Sequence, residues 1–513
     1  MRPLAFLLAA MPAVAAFAEN PATRPNILVI LTDDIGWGDY GCYNPQSKIP
    51  SPNIDRLARD GMRFTHAHTP AGLCAPTRYA MLTGNYPWRG RSPGGTWGFN
   101  VPSQLKPGQQ TVAKLLQTAG YRTAMFGKAG TGGFYAFSAD KTPRETLAPQ
   151  EWGFDYSFLI PRGHQATPLA FFENGVAVGK LNGDGIDARA ADWDHRKVGE
   201  RLLEKALGFL DDHHARNKAE AKSHPFYLHF CTDGAHGPYV PAETLAGRPL
   251  KGVTKMTEHT DMVHETDILA GKLVEALEKR GLLAETLVVI TSDNGGIPSE
   301  RGLGHDAVAG LRGKKSFIFE GGHRVPLVAF WQGKVPGGTV RHQVVGTHDI
   351  VATALELAGV PIPHDQALDS VSLAPILLGR CDDSQPVRES LLVQSSPGRD
   401  AFDDGGFRAG GPAPEDGGPA QPAAKIERKA EKRKAARNKG SDGIAHAIYR
   451  GDWKLVFDGR DKAAALYDLS TDLAEERNLI GEPVHADRVQ DMIRLFQAIR
   501  SSRRSTPTTP PGR

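Results

Sequence analysis

Residues 26–31 form an apolar run with no polar face, and comparable runs return at 121–126, 225–230 and 287–292. A strand this apolar has to be covered on both sides, as in a parallel sheet under helices. Segments 111–120, 194–214 and 265–280 supply covering helices. In the second of these, Val198, Leu202, Leu203, Ala206 and Leu210 recur at helical spacing. Gly120 and Gly281 stop the first and the third. The alternation predicts an α/β fold, with a large, mixed, mostly parallel sheet flanked by helices. Sites in such sheets assemble beyond the C-terminal ends of the strands. Those ends deliver Asp33 and Asp34, then Lys128, then His236, then Asp293 and Asn294.

Asp33 and Asp34 leave a buried strand side by side. Adjacent carboxylates repel there unless a cation is present, and hard oxygen donors suit Ca2+ or Mg2+. Taken alone, an Asp-Asp pair fits a solvated turn better. Asp293 and Asn294 add two oxygen donors. Three carboxylates and an amide suit Ca2+ rather than Zn2+, which takes His or Cys.

The most specific stretch begins at Cys74. Cys74, Pro76, Thr77, Arg78, Thr83 and Gly84 read C-x-P-[ST]-R-x-x-x-x-T-G. Pro76 and Thr77 suit the first turn of a helix, whose N-terminus favours an anion. Arg78 lies one turn on and can return to the face of Cys74. This pattern resembles the signature of the type I sulfatases, in which the cysteine becomes formylglycine (3-oxoalanine), an aldehyde. The aldehyde hydrates, and one hydroxyl can attack the sulfur of a sulfate ester once a cation lowers its pKa.

The resemblance runs from about residue 24 to 479. It implies an alkaline-phosphatase-like fold with a smaller C-terminal antiparallel sheet plus helix. Asp33, Asp34, Asp293, Asn294 and the modified Cys74 then form a Ca2+ site, with Mg2+ the lesser alternative. Lys128, in Gly127-Lys128, matches the first catalytic lysine. Lys315 rather than Lys314 matches the second, within Leu311-Arg312-Gly313 and Glu320-Gly321-Gly322. His236 matches the histidine that assists departure of the alcohol. The family's Gly-Lys-Trp-His is Gly127-Lys128-Ala129-Gly130 here, so the histidine that serves as base when sulfate leaves is replaced by Gly130. His164 stands where the family has polar substrate contacts. It is either a stand-in for that histidine or a surface loop residue. Maturation would require a formylglycine-generating enzyme as partner.

Residues 1–18 have a basic start, an apolar core and an Ala16-Phe17-Ala18 end, the form of a cleaved secretory signal. A secreted or periplasmic protein with no membrane span after cleavage is expected. The expected domains are 24–378, catalytic, and 379–500, α+β. A disordered insertion at 400–442 interrupts the latter, and 501–513 is a loose tail. The four cysteines, Cys42, Cys74, Cys231 and Cys381, are too few for a disulfide framework. The formal net charge of +3 is local: residues 425–439 hold eight Lys/Arg and two Glu. A nucleic-acid-binding body is therefore not indicated.

The activity expected is hydrolysis of sulfate esters, with sulfated carbohydrates favoured as substrates. A phosphate or phosphonate ester hydrolase of the same superfamily, and a weakened protein that only binds sulfated glycans, are the alternatives.

Overall fold

The computed structural model describes residues 24–97, 102–133, 149–183, 188–399 and 443–506. The signal segment and the insertion at 400–442 lie outside the described residues. The large sheet has ten strands. They are β1 Asn26–Thr32, β2 Met62–Phe64, β3 Arg122–Lys128, β4 Tyr156–Ile160, β5 Phe172–Glu173, β6 Val176–Ala177, β7 Phe226–Cys231, β8 Thr286–Ser292, β9 Leu327–Phe330 and β10 Thr339–Arg341. Their order is β10-β2-β9-β8-β1-β7-β3-β4-β5-β6. The central run β8-β1-β7-β3-β4 is parallel throughout, and β9, β5 and β6 add antiparallel pairs towards the edges.

Every position of β1, β7 and β8 is buried, which is why their sequences show no alternation. The register brings the strand ends level. Leu31 pairs with Cys231, Cys231 with Gly127, and Thr32 with Ser292. One row therefore receives Asp33, Lys128, Thr232 and Asp293.

Among the described residues the longer helices are α1 Pro52–Asp60, α2 Cys74–Thr83, α3 Val112–Gln117, α4 Val198–Glu220, α5 Glu258–Lys279, α6 Asp349–Leu357 and α7 Ala486–Ser501. Two boundaries depart from the expected ones. α4 runs on to Glu220, because its last turns carry exposed helix formers with no apolar signal. α5 starts at Glu258 rather than 265. Thr257 and Thr260 close a capping box there, and the polar residues that follow are buried rather than solvated.

A second sheet comprises β11 Leu391–Gln394, β12 His446–Arg450, β13 Trp453–Phe457 and β14 Ala463–Asp468, all antiparallel. α7 packs on it, with Phe496 stacked on Phe457 at 3.9 Å. β11 comes from before the insertion and was not expected as a strand. The expected loose tail is described as far as Thr506, and Ser505 there donates to Asp369 Oδ1 at 2.6 Å.

The two sheets meet through buried charges. Lys454 is wholly buried, 3.0 Å from Glu320 Oε1 and 2.6 Å from Glu475 Oε1. Arg324 Nε lies 2.6 Å from Glu320 Oε2. Such a network adds little net stability, but removing one partner strands the other. Beside it His66, His68 and His323 are buried, and burial pushes His66 and His323 down to about 3 and His68 well below its usual value.

These imidazoles fold neutral, whereas the unfolded chain protonates them near 6.5. The unfolded state therefore binds more protons between about pH 6.5 and 3, and stability falls as pH falls through that window. Each such histidine contributes a slope of up to about 1.4 kcal/mol per pH unit. Denaturant unfolding at pH 7.5 and at pH 5.0 should show the midpoint moving to lower denaturant at the acid value.

Candidate active site

Asp33 and Asp34 cap β1, and Asp34 takes a positive φ of 59° that turns the chain. Both carboxylates are buried, as is Asp293 after β8. Burial alone would raise Asp33, but Lys128, Arg78, His236 and Lys315 outweigh it and hold the carboxyl low. Asp34 is also held low, with Lys315 the strongest force against burial. Asp293 is pushed up to about 6 by burial and by Asp33.

Each carboxylate has a cation. Lys128 Nζ lies 2.6 Å from Asp33 Oδ2, and Lys315 Nζ lies 2.5 Å from Asp34 Oδ1. Arg78 donates from Nε and Nη2 to Asp293 Oδ2 at 2.9 and 2.6 Å, and from Nη1 to the Lys128 carbonyl at 2.8 Å. Its guanidinium thus clamps β8 to β3 behind Cys74. Cys74 is the first residue of α2, a helix buried at every position and closed by Gly84 in the left-handed region, φ 68°. Lys128 reaches the row because Gly127 precedes it. A Cβ on Gly127 would stand 1.8 Å from the Cys231 carbonyl oxygen.

The donor set suits a hard cation. Asp33 Oδ1 and Asn294 Oδ1 are buried and meet no partner among the described residues. Asn294 Nδ2 donates to Asp34 Oδ1 at 2.8 Å, which leaves its Oδ1 free to ligate. Oxygens from Asp33, Asp34, Asp293 and Asn294 fit Ca2+ chemistry.

His236 is at the mouth, with its side chain 21% exposed. Its Nδ1 donates to the Gly237 carbonyl at 2.8 Å, and Nε2 lies 3.8 Å from Asp34 Oδ2. His164 is buried, not a surface loop residue. Its Nδ1 contacts Asp233 Oδ2, and its Nε2 donates to the His236 carbonyl at 2.7 Å. Burial would lower its pKa, but the Asp233 carboxylate overrides this and raises it. With both nitrogens engaged, His164 braces the loop that carries His236. Asp233 was not singled out in the sequence. Its position just beyond a buried strand, three residues before His236, was the available signal. Gly130 lies beside the Arg78 side chain at φ 69°, where an added Cβ would come 3.0 Å from Arg78 Cδ.

The pattern that defines the Sulfatase family matches residues 25–360. The chain belongs to that family. Human N-acetylgalactosamine-6-sulfatase is 32% identical over 384 residues, a span covering 70% of this chain and 67% of that protein. A Bacteroides thetaiotaomicron N-acetylgalactosamine-6-O-sulfatase is 28% identical over 526 residues, covering 93% of each. A solved Bacteroides thetaiotaomicron protein described with glycosaminoglycan metabolism superimposes with a TM-score of 0.73 at 25% identity. It covers 94% of this chain and 100% of that one. This sulfatase is accordingly a sulfuric ester hydrolase with the family's alkaline-phosphatase-like fold.

The positive φ at position 130 has a direct consequence. Gly130→His would place a side chain on a backbone that side chains rarely adopt, against Arg78. Steady-state sulfate release by this variant should fall below that of the unchanged chain, by about tenfold or more.

Proposed function

We propose that this sulfatase is secreted or periplasmic, matures by conversion of Cys74 to formylglycine, and removes sulfate from carbohydrates with the help of Ca2+. The observation that carries the reading is the row in which three cations pair with three carboxylates, each cation also an electrostatic neighbour of Cys74 at the start of α2. The hydrated aldehyde at position 74 supplies the attacking hydroxyl. Asp33, Asp34, Asp293, Asn294 and position 74 would hold Ca2+, which when bound would supply positive charge for that hydroxyl and for the sulfate oxygens.

The side chains divide by depth. Lys128 is 2% exposed, whereas Lys315 is 14% and His236 21% exposed. Lys128 therefore takes an inner sulfate oxygen. Lys315 and His236 face the side from which the alcohol must approach, and one of them protonates its leaving oxygen. Arg78 keeps Asp293 and the Lys128 main chain in place and lends its charge to position 74. Preset charges of this kind need no reorganisation when the oxyanion arrives. The second half-reaction needs a proton acceptor other than residue 130 or His164, since glycine has no side chain and both His164 nitrogens are engaged.

Relatives that act on N-acetylgalactosamine 6-sulfate support amino-sugar 6-sulfates as the first substrates to try. Mass analysis of the peptide around residue 74 should find the aldehyde in place of the thiol. Cys74→Ala should cut sulfate release by about a thousandfold or more. Binding of sulfated sugars without turnover by aldehyde-bearing, Ca2+-loaded protein would favour the glycan-binding alternative. Faster turnover of phosphate than of sulfate esters would favour the phosphohydrolase. Chelation should abolish sulfate release, and added Ca2+ should restore it more fully than Mg2+, because several carboxylate and amide oxygens suit Ca2+, whereas Mg2+ keeps most of its waters.

A further inference from the structure

Away from the carboxylate row, a second group of side chains has polar atoms that the fold leaves unused. It lies at the junction of the two sheets. His66 and His68 follow β2, Glu320 and His323 belong to the short helical turn Glu320–His323, and Tyr449 and Lys454 come from β12 and β13. One ligand atom each of His66, His68 and Glu320 lies within 4.8 Å of the other two.

Hydrogen bonds assign the protons. The Ile318 carbonyl can only accept, so His323 Nε2, 2.9 Å away, carries a hydrogen. In the neutral ring His323 Nδ1 is then an acceptor, and His68 Nδ1, 3.1 Å from it, is the donor. That leaves a lone pair on His68 Nε2, which is buried and meets no partner among the described residues. In His66, Nδ1 lies 3.7 Å from Asp452 Oδ1, and Nε2 is buried and meets no partner among the described residues. The two residues are 4% and 0% exposed, so solvent does not satisfy these lone pairs.

We propose that His66, His68 and Glu320 form a second metal site, which takes a divalent cation of zinc type. Two imidazole nitrogens and one carboxylate oxygen are donors that suit Zn2+ and not Ca2+. His68 already has its other nitrogen anchored on His323, as metal-bound histidines do. Glu320 is held by Arg324 on Oε2 and by Tyr449 and Lys454 on Oε1. A carboxylate offers about four acceptor positions, so one remains on Oε2.

The neighbouring cations are already matched. Arg324 pairs with Glu320, and Lys454 pairs with Glu475 as well. Ligand atoms on tetrahedral zinc stand about 3.3 Å apart, so the three atoms, now within 4.8 Å of one another, need close by no more than about 1.5 Å. An ion here would join two pieces, the segment leading to Cys74 and the turn that follows Lys315, and Glu320 in that turn is held by Tyr449 and Lys454 of the small sheet.

The test uses the purified full chain, stripped with a chelator and then saturated with Ca2+, to which ZnCl2 or CoCl2 is added. The expected result is one retained Zn2+ per chain by elemental analysis and the intense visible bands of four-coordinate Co2+. Excess Zn2+ should raise Tm by about 3 °C or more. His66→Gln and His68→Gln should each weaken Zn2+ retention at least tenfold. The proposal is overturned if the unchanged chain retains no more Zn2+ than the His66→Gln and His68→Gln variants do, or if the variants show the same Tm rise as the unchanged chain. Should the variants not fold, the Co2+ spectrum of the unchanged chain decides, and the weak bands of six-coordinate Co2+ overturn the proposal.

Discussion

Asp33, Asp34 and Asp293 lie together at the buried ends of β1 and β8, each at most 1% exposed. Like charges at that depth are tolerated only if cations come equally close, and much of the surrounding fold serves to bring them. Arg78 arrives from α2, Lys128 from β3 and Lys315 from the loop before β9. Each forms a short contact with a different carboxylate. Removing a cation would leave a buried charge unpaired, at a cost of several kcal/mol. The site is therefore rigid before any substrate arrives. The same positive charges that neutralise the carboxylates are the ones a tetrahedral oxyanion can use.

Backbone detail makes this convergence possible. Lys128 reaches the row only because the chain at Gly127 passes so close to Cys231 that no side chain fits between them. Asp34 bends the chain at the end of β1, and Gly84 closes α2 in a left-handed turn. The small sheet enters through Glu320, which follows Lys315 by five residues and is gripped by Lys454. Folding of the C-terminal sheet and placement of Lys315 are thus coupled through the buried contacts of Glu320 with Lys454 and Tyr449.

Much of the sheet was legible in the residues, since the apolar runs at β1, β3, β7 and β8 contain no polar alternation. The strand ends likewise announced where polar groups would gather. α5 was only partly legible, because His259, Asp261 and His264 look solvated in sequence and are buried in the fold. His164 is the clearest case of a residue whose neighbours decide its part. In sequence it could stand in for the missing histidine or lie on the surface. The Asp233 carboxylate and the His236 carbonyl take both its nitrogens and make it a brace.

The chain's own residues determined the fold class, the family and the list of chemical groups. Those follow from local facts: unbroken apolar runs, a short signature around Cys74, and polar residues at strand ends. Only tertiary structure decided which cation faces which carboxylate, which nitrogens remain unused at the sheet junction, and which site groups reach the mouth. Those are relations between segments up to hundreds of residues apart. They depend on strand register and burial, which no single segment contains.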